Sequence, residues 1–338
     1  MAAAVSGGPT DPALFFLSDY GTADEFVGVV HAVLHRLAPL VPVIDLSHQI
    51  PPFDVPGGAA LLARCVPYLG AGVVLAVVDP GVGTARRAVA VRTAAGSGQT
   101  RSVPAPGSGG SADHLSGGPA WLVGPDNGLL TGATALLGGA EEVVALRFDS
   151  GGWRGPDGGI DRPGPTFAGR DVFAPAAAHL VNGGDPALLG EAVDPASLVA
   201  APADQQMASA GEPIRVGSAL TTSVVSIDRF GNVQLALRPH LLDEIGLEPG
   251  GLAEVTVRPM PDVRRPAEPA VTAVPSNQAV PARRVVAFAE LAAGELGLVT
   301  DGNGRVALVL DRASAAHRLH LSGAGAEVTI SLAHHRGG

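Results

Sequence analysis

Four short segments carry side chains able to do chemistry, and each lies at the end of an apolar run. Val77-Val78-Asp79-Pro80-Gly81-Val82-Gly83-Thr84-Ala85-Arg86-Arg87 puts a carboxylate and, seven residues on, a guanidinium on one Gly-rich turn. Such a pair can hold and polarise a water, and the glycines let backbone come close to a ligand. The turn is neither GxGxxG nor a Walker loop, so a phosphate cradle is a weak reading, and a structural turn with a surface ion pair stands beside it. Leu17-Ser18-Asp19-Tyr20-Gly21 sets a carboxylate where α/β proteins bind ligands, able to accept two hydrogen bonds from a ribose diol. A turn or helix-capping aspartate is the alternative. In Gly124-Pro125-Asp126-Asn127-Gly128 a helix cap is the favoured role for Asp126 or Asn127. In Ser226-Ile227-Asp228-Arg229-Phe230-Gly231-Asn232, Phe230 offers a stacking face, and Asp228 and Asn232 offer donors and acceptors for an adenine edge. Phe-Gly-Asn is equally a hairpin turn.

The elements that must position these groups are legible as periodicity. Leu14–Leu17, Val41–Leu46, Val73–Val78, Ala88–Val91 and Trp121–Val123 are short apolar runs bounded by turn residues, which predicts buried strands. Asp24–Leu37 has apolar residues at helical spacing and fits a crossover helix. Alternating strands and helices predict a Rossmann-like α/β domain over residues 12–195 with a mostly parallel sheet. The segment 93–119, rich in Gly, Ser, Ala and Pro, reads as a flexible insertion. A linker is expected at 196–213. Beyond it, Val216–Ile227, Gly231–Leu237, Ala253–Arg258, Val285–Phe288, Arg305–Leu310 and Glu327–Leu332 predict a smaller, mainly β, barrel-like domain over 214–335. A Pro-rich loop is expected at 259–284 within it.

Composition excludes several classes of function. The 338 residues suggest about two domains. A net charge of −10 disfavours nucleic acid, whose phosphates want a basic footprint. All 22 basic residues are arginine, so Schiff-base and P-loop lysines are excluded. The single cysteine, Cys65, permits no intrachain disulfide and fits a reducing, cytoplasmic compartment. It also rules out a Cys-rich zinc site, and the ten histidines contain no HExxH. No cofactor and no metal are therefore expected. Met1–Thr10 lacks the charged and apolar regions of a signal peptide, and no apolar run approaches the roughly 18 residues of a membrane span.

Taken in order, these segments resemble the S-adenosylmethionine hydroxide adenosyltransferases, the adenosine-forming hydrolases related to fluorinases and chlorinases. Val43-Ile44-Asp45-Leu46-Ser47-His48 and Thr166-Phe167-Ala168-Gly169-Arg170-Asp171-Val172-Phe173-Ala174-Pro175 extend the resemblance, which runs from about Leu14 to Leu332. It implies a homotrimer that binds S-adenosylmethionine between the N-terminal domain of one subunit and the C-terminal domain of its neighbour. It implies further that Asp19 holds the ribose hydroxyls, that Phe53 lies beside the substrate, and that Asp228, Phe230 and Asn232 contact the methionine end and the adenine. The Gly302–Arg305 turn would complete the pocket. Halogenases of this kind carry a tyrosine in place of the acid and lose the first arginine. Asp79 and Arg86 therefore point to water as nucleophile, attacking ribose C5′ in line with departing methionine. Two features depart from the hydrolase pattern. The family's catalytic histidine is replaced by Ala168, and the 93–119 insertion lies where fluorinases carry an extra loop. A chlorinase-like halogenase and a catalytically weak S-adenosylmethionine or adenosine binder are the alternatives.

Overall fold

The computed structural model describes residues 11–97, 101–104, 112–115, 118–147, 166–200, 213–258 and 279–333. The chain divides into two compact units, Met1–Pro202 and Ala203–Gly338.

In the first unit the chain runs through β1 (Ala13–Ser18), α1 (Phe26–Leu37), β2 (Val43–Ser47), α2 (Val55–Cys65), β3 (Gly72–Val77), β4 (Ala88–Thr93), β5 (Arg101–Pro104), β6 (Ala112–Leu115), β7 (Pro119–Pro125), α3 (Thr131–Leu136), β8 (Ala140–Leu146), α4 (Ala174–Val181) and β9 (Gly190–Val193). Seven strands form one sheet in the order β2-β1-β3-β7-β4-β8-β9. The first four pair in parallel and the last three join antiparallel. Because two reversals restore direction, β8 again runs with the parallel strands, and only β4 and β9 oppose them.

The uninterrupted apolar runs of β1 and β3 have a simple cause. Helices cover both faces of the sheet, so neither face can be polar. Leu14 and Phe16 of β1 point into the core that also holds Val30 and Leu34 of α1 and Ala177 and Leu180 of α4. Their neighbours Phe15 and Leu17 point into the opposite core, with Leu62 of α2 and Ala133 of α3. Full burial of one such side chain contributes roughly 1.5–3 kcal/mol. Within the segment read as a flexible insertion, β5 and β6 form an antiparallel ladder with Arg101 opposite Leu115. The remaining residues there, 98–100, 105–111 and 116–117, lie outside the described residues.

The second unit comprises β10 (Ile214–Val216), β11 (Ala219–Ile227), β12 (Val233–Leu235), α5 (Pro239–Glu244), β13 (Leu252–Arg258), β14 (Val280–Arg284), β15 (Leu296–Thr300), β16 (Val306–Leu310), α6 (Ala315–Arg318) and β17 (Glu327–Leu332). The order β11-β12-β16-β15-β14-β13-β17 closes by pairing β17 back onto β11, giving a seven-stranded barrel with β10 appended to β11. Closure leaves these strands no free edge. Alternate residues fill the interior, as with Ala253, Val255 and Val257 of β13.

Further strands differ from the sequence reading. The strand expected at Val285–Phe288 lies just before it, at β14, inside the expected Pro-rich loop. Its place is set by pairing to β13 and β15, which buries Ala282, whereas Val286 is 75% exposed. The sequence reading also omits β8, β9 and β15: two glutamates follow Ala140 at the start of β8, β9 is only four residues long, and Gly297 breaks the apolar run of β15. The rest of the Pro-rich loop, 259–278, and residues 201–212 of the linker lie outside the described residues. Among the described residues no helix is long and apolar enough to cross a membrane.

Candidate active site

The carboxyl-terminal ends of β1 and β3 set the first half of the site. Ser18 pairs with Val77, so Asp19 and Asp79 leave two adjacent parallel strands side by side. The Asp19 N–H donates to the Val77 carbonyl at 3.3 Å. Beyond Asp79 the chain folds into two overlapping turns, Val82 N–H to Asp79 carbonyl at 3.2 Å and Thr84 N–H to Gly81 carbonyl at 3.1 Å. The Thr84 hydroxyl also donates to the Gly81 carbonyl at 2.7 Å. Gly83 takes φ +78°, where a side chain would be strained. These turns bring Arg86 back over Asp79. Its Nε donates to Oδ1 at 2.8 Å and Nη2 to Oδ2, a two-pronged pair. Their side chains are only 12% and 6% exposed. The guanidinium lies 5.2 Å from the Phe173 ring centroid. Its remaining nitrogen, Nη1, is buried and has no hydrogen-bond partner among the described residues.

Asp19 accepts the Phe53 N–H at 2.9 Å through Oδ2. Partial burial raises its carboxyl above the ordinary carboxylate value, the N–H groups of Phe53 and Asp19 oppose this, and Asp79 adds to it. Phe53 sits in the loop between β2 and α2 at φ +68°, with its ring 70% exposed. A non-glycine residue in that conformation carries strain of about 1–3 kcal/mol, a cost that clusters at ligand sites. The next residue, Asp54, caps α2 by accepting the Gly57 N–H at 3.1 Å, which anchors the loop. Asp19, Phe53, Asp79 and Arg86 are thus brought together in the first unit.

Ala168 is buried at the start of a π-helical turn, Gly169–Phe173. A Cβ on Gly169 would run into the Tyr20 hydroxyl, so this phenol packs on the same backbone. Burial pushes the Tyr20 phenol above its ordinary range, Asp19 and Asp79 adding and Arg86 opposing. Sequence reasoning passed over Tyr20, although its place beside Asp19 was a usable signal. Asp126 and Asn127, by contrast, do not cap α3, whose start has no side-chain cap. Asp126 accepts Arg87 Nε at 2.8 Å and the Val199 N–H at 2.7 Å, tying residues 197–199 to the sheet. The Asn127 amide donates to the Val78 carbonyl at 2.9 Å. Both are structural ties, Asp126 holding the segment after β9 and Asn127 the end of β3.

In the second unit, Asp228 organises the β11–β12 hairpin. Its Oδ1 accepts the N–H groups of Phe230 and Asn232, both at 2.9 Å, and Oδ2 accepts the Asn232 amide at 2.8 Å. Gly231 takes φ +82°, and a Cβ there would strike the Ser314 hydroxyl. The turn presents the Phe230 ring outward, 70% exposed, with the Arg229 guanidinium 5.5 Å from its centroid. The hairpin and the ligand readings are therefore compatible: Asp228 builds the turn and Phe230 is offered by it. The turn before β16 repeats the device, with Asp301 accepting the N–H groups of Asn303 and Arg305 at 2.8 and 2.9 Å.

Comparisons with known proteins match both units. A family model described as the SAM hydroxide adenosyltransferase N-terminal domain matches residues 14–98 and 106–190, and its C-terminal counterpart matches 222–329. An "(R)-S-adenosyl-L-methionine hydrolase" of Salinispora tropica is 40% identical, covering 91% of this chain and 94% of that one. A hydrolase of the same name from Thermus thermophilus is 39% identical over 75% of this chain and 82% of its own. A fluorinase of an Actinoplanes species is more distant, 29% identical over 70% and 75%. Among solved structures, an uncharacterized conserved protein of Thermotoga maritima superposes with a TM-score of 0.71 at 25% identity, covering 94% of this chain and 99% of that one.

Proposed function

Because this chain belongs to the SAM hydroxide adenosyltransferase family, we propose that it hydrolyses S-adenosyl-L-methionine to adenosine and L-methionine. The observation that carries this reading is the buried, two-pronged Asp79–Arg86 pair beside Asp19, with one guanidinium nitrogen left without a partner among the described residues. That nitrogen is a donor for the attacking oxygen. Asp79 fixes the guanidinium and accepts a hydrogen bond from the water.

In the reaction a water oxygen forms a bond to ribose C5′ while the C5′–sulfur bond breaks in line. The bonding pair goes to sulfur, converting the sulfonium to the neutral thioether of methionine, and the water's proton leaves to solvent. Charge is consumed at sulfur as hydroxide character is lost, so a site that strips water from the nucleophile favours the transition state. Orientation of the water and of C5′ contributes several kcal/mol more. Asp19 is assigned the ribose diol and Phe53 a face of the substrate. Asp228, Phe230 and Asn232 are assigned the methionine end and the adenine. No cofactor enters this scheme.

The relatives' names specify the (R) sulfonium epimer, and we take that epimer as the substrate here. We place the chain in the cytoplasm as a homotrimer whose sites need two subunits, without nucleic-acid or membrane partners. The net charge of −10 supports the absence of a nucleic-acid partner, and the single free Cys65 supports a reducing compartment. The test is incubation of purified protein with each epimer, with and without chloride or fluoride, and identification of the nucleoside. Adenosine formed from the (R) epimer, unaffected by halide, supports the proposal. A 5′-halogenated nucleoside establishes a halogenase instead. Tight binding with no product establishes a binding protein.

A further inference from the structure

We propose that His31, Asp45 and His48 form a binding site for a divalent cation of the zinc class, separate from the groups that carry out hydrolysis. The three residues come from α1, from β2 and from the residue that follows β2. Their ligand atoms all lie within 4.8 Å of one another. His31 Nε2 is 2.8 Å from Asp45 Oδ1, and His48 Nε2 is 3.1 Å from the same oxygen. Two imidazoles therefore converge on one carboxylate, as ligands do around a common ion.

The state of His48 points to a ligand rather than to a simple ion pair. Its side chain is 5% exposed, and despite the 3.1 Å approach to Asp45 its Nε2 has no aligned hydrogen bond. A buried polar atom left so is destabilising and calls for an occupant. The other ring nitrogen, Nδ1, lies 2.8 Å from the hydroxyl of buried Ser18. With Nδ1–H donating to that hydroxyl, Nε2 presents a bare lone pair to the cluster, which is how second-layer partners orient metal-binding imidazoles. The Phe16 ring flanks both histidines, with centroids 4.6 Å from His48 and 6.0 Å from His31. One side of the site is therefore apolar.

The donor set selects the ion. Two imidazole nitrogens and one carboxylate oxygen suit zinc and its neighbours, whereas magnesium and calcium prefer oxygen alone. His31 and Asp45 are 34% and 43% exposed, which leaves a fourth, solvent-facing position for water in a tetrahedral shell. The role is a staple. The His48 carbonyl accepts the Gly21 N–H at 2.7 Å, and Ser18 directly precedes Asp19. An ion here would lock α1 and the end of β2 to the loop that carries the proposed ribose-binding acid.

The test uses the full chain stripped with a chelator and titrated separately with zinc and cobalt(II) chlorides. Expected are about one equivalent bound per chain, visible cobalt bands of four-coordinate intensity, and a zinc-dependent rise in melting temperature. His31→Ala and Asp45→Ala, both at partly exposed positions, should remove the bands and the rise while the metal-free proteins melt near the wild-type chain. Ser18→Ala should weaken the site about 10–100-fold without abolishing it. Absence of binding at micromolar zinc would overturn the proposal, as would equal binding by His31→Ala, which would place the ion on other surface histidines. Neither result bears on hydrolysis, which is read separately from adenosine formation.

Discussion

At the scale of single residues, Asp79 and Asp19 are two carboxylates one strand apart that the fold treats differently. Asp79 is neutralised by Arg86, whereas Asp19 is held only by backbone N–H groups and pushed upward by burial. Asp79→Asn keeps the shape but loses the charge that fixes the guanidinium. Adenosine formation is expected to fall by at least about 10²-fold. Binding of S-adenosylmethionine, measured by calorimetry, should change only a few-fold. Turnover near wild type would remove Asp79 from the mechanism. For Asp19, burial sets a pH linkage. Its folded pKa lies above its unfolded one, so its contribution to stability is present in acid and is lost as pH rises through the folded value. Asp19→Asn should therefore melt no lower than wild type at pH 7. Any advantage should vanish as pH falls below the ordinary aspartate value of about 4. Loss of a charged acceptor for the diol should raise KM about tenfold or more. Thermal scans across pH with parallel KM values check both halves, and a marked loss of stability at pH 7 would contradict the assignment.

At the scale of elements, what could be read in the sequence was whatever has a local cause. The runs of β1 and β3 and the periodicity of α1 were legible because burial on two faces, or on one stripe, writes itself into every residue. The Asp79–Arg86 turn was legible because its glycines and its two charged residues lie within a few positions. The His31–Asp45–His48 cluster was not, since its members come from α1, from β2 and from the residue after β2 and meet only in the folded chain. Nor was the place of β14, which is set by pairing with β13 and β15 and not by its own residues. Phe53 shows how an element can hold a residue against its own preference. The loop is pinned at one end by the Asp54 cap on α2 and in its middle by the Asp19 carboxylate, which together keep φ at +68°. Phe53→Gly relieves that strain and sacrifices little burial, because the ring is 70% exposed. The variant should melt at or above the wild-type temperature while losing affinity for S-adenosylmethionine, measured by calorimetry. A lower melting temperature with unchanged affinity would mean that the ring serves packing and not the substrate.

At the scale of the whole molecule, the groups proposed to handle water and ribose belong to the first unit, and those proposed to read adenine and methionine belong to the second. Each unit also exposes large apolar side chains, among them Leu40, Ile44 and Tyr68 in the first and Ile214, Val216 and Val286 in the second. In the proposed cyclic trimer every site takes its first unit from one subunit and its second from the neighbour, a head-to-tail contact that closes. Subunit mixing then has a definite expected outcome. Asp79→Asn spoils the first unit of its own chain, and Phe230→Ala spoils the second. Each homotrimer should be inactive or nearly so. In a mixed ring one of the three boundaries joins an intact first unit to an intact second unit. Random assembly from equal amounts makes about three quarters of the rings mixed, so about one quarter of all sites are restored. Unfolding and refolding the two variants together should therefore recover roughly a quarter of wild-type adenosine formation, and refolding them apart should recover none. If each site lay within a single chain, no mixture could exceed its parents, and a monomeric mass by light scattering with full activity would exclude the shared site outright.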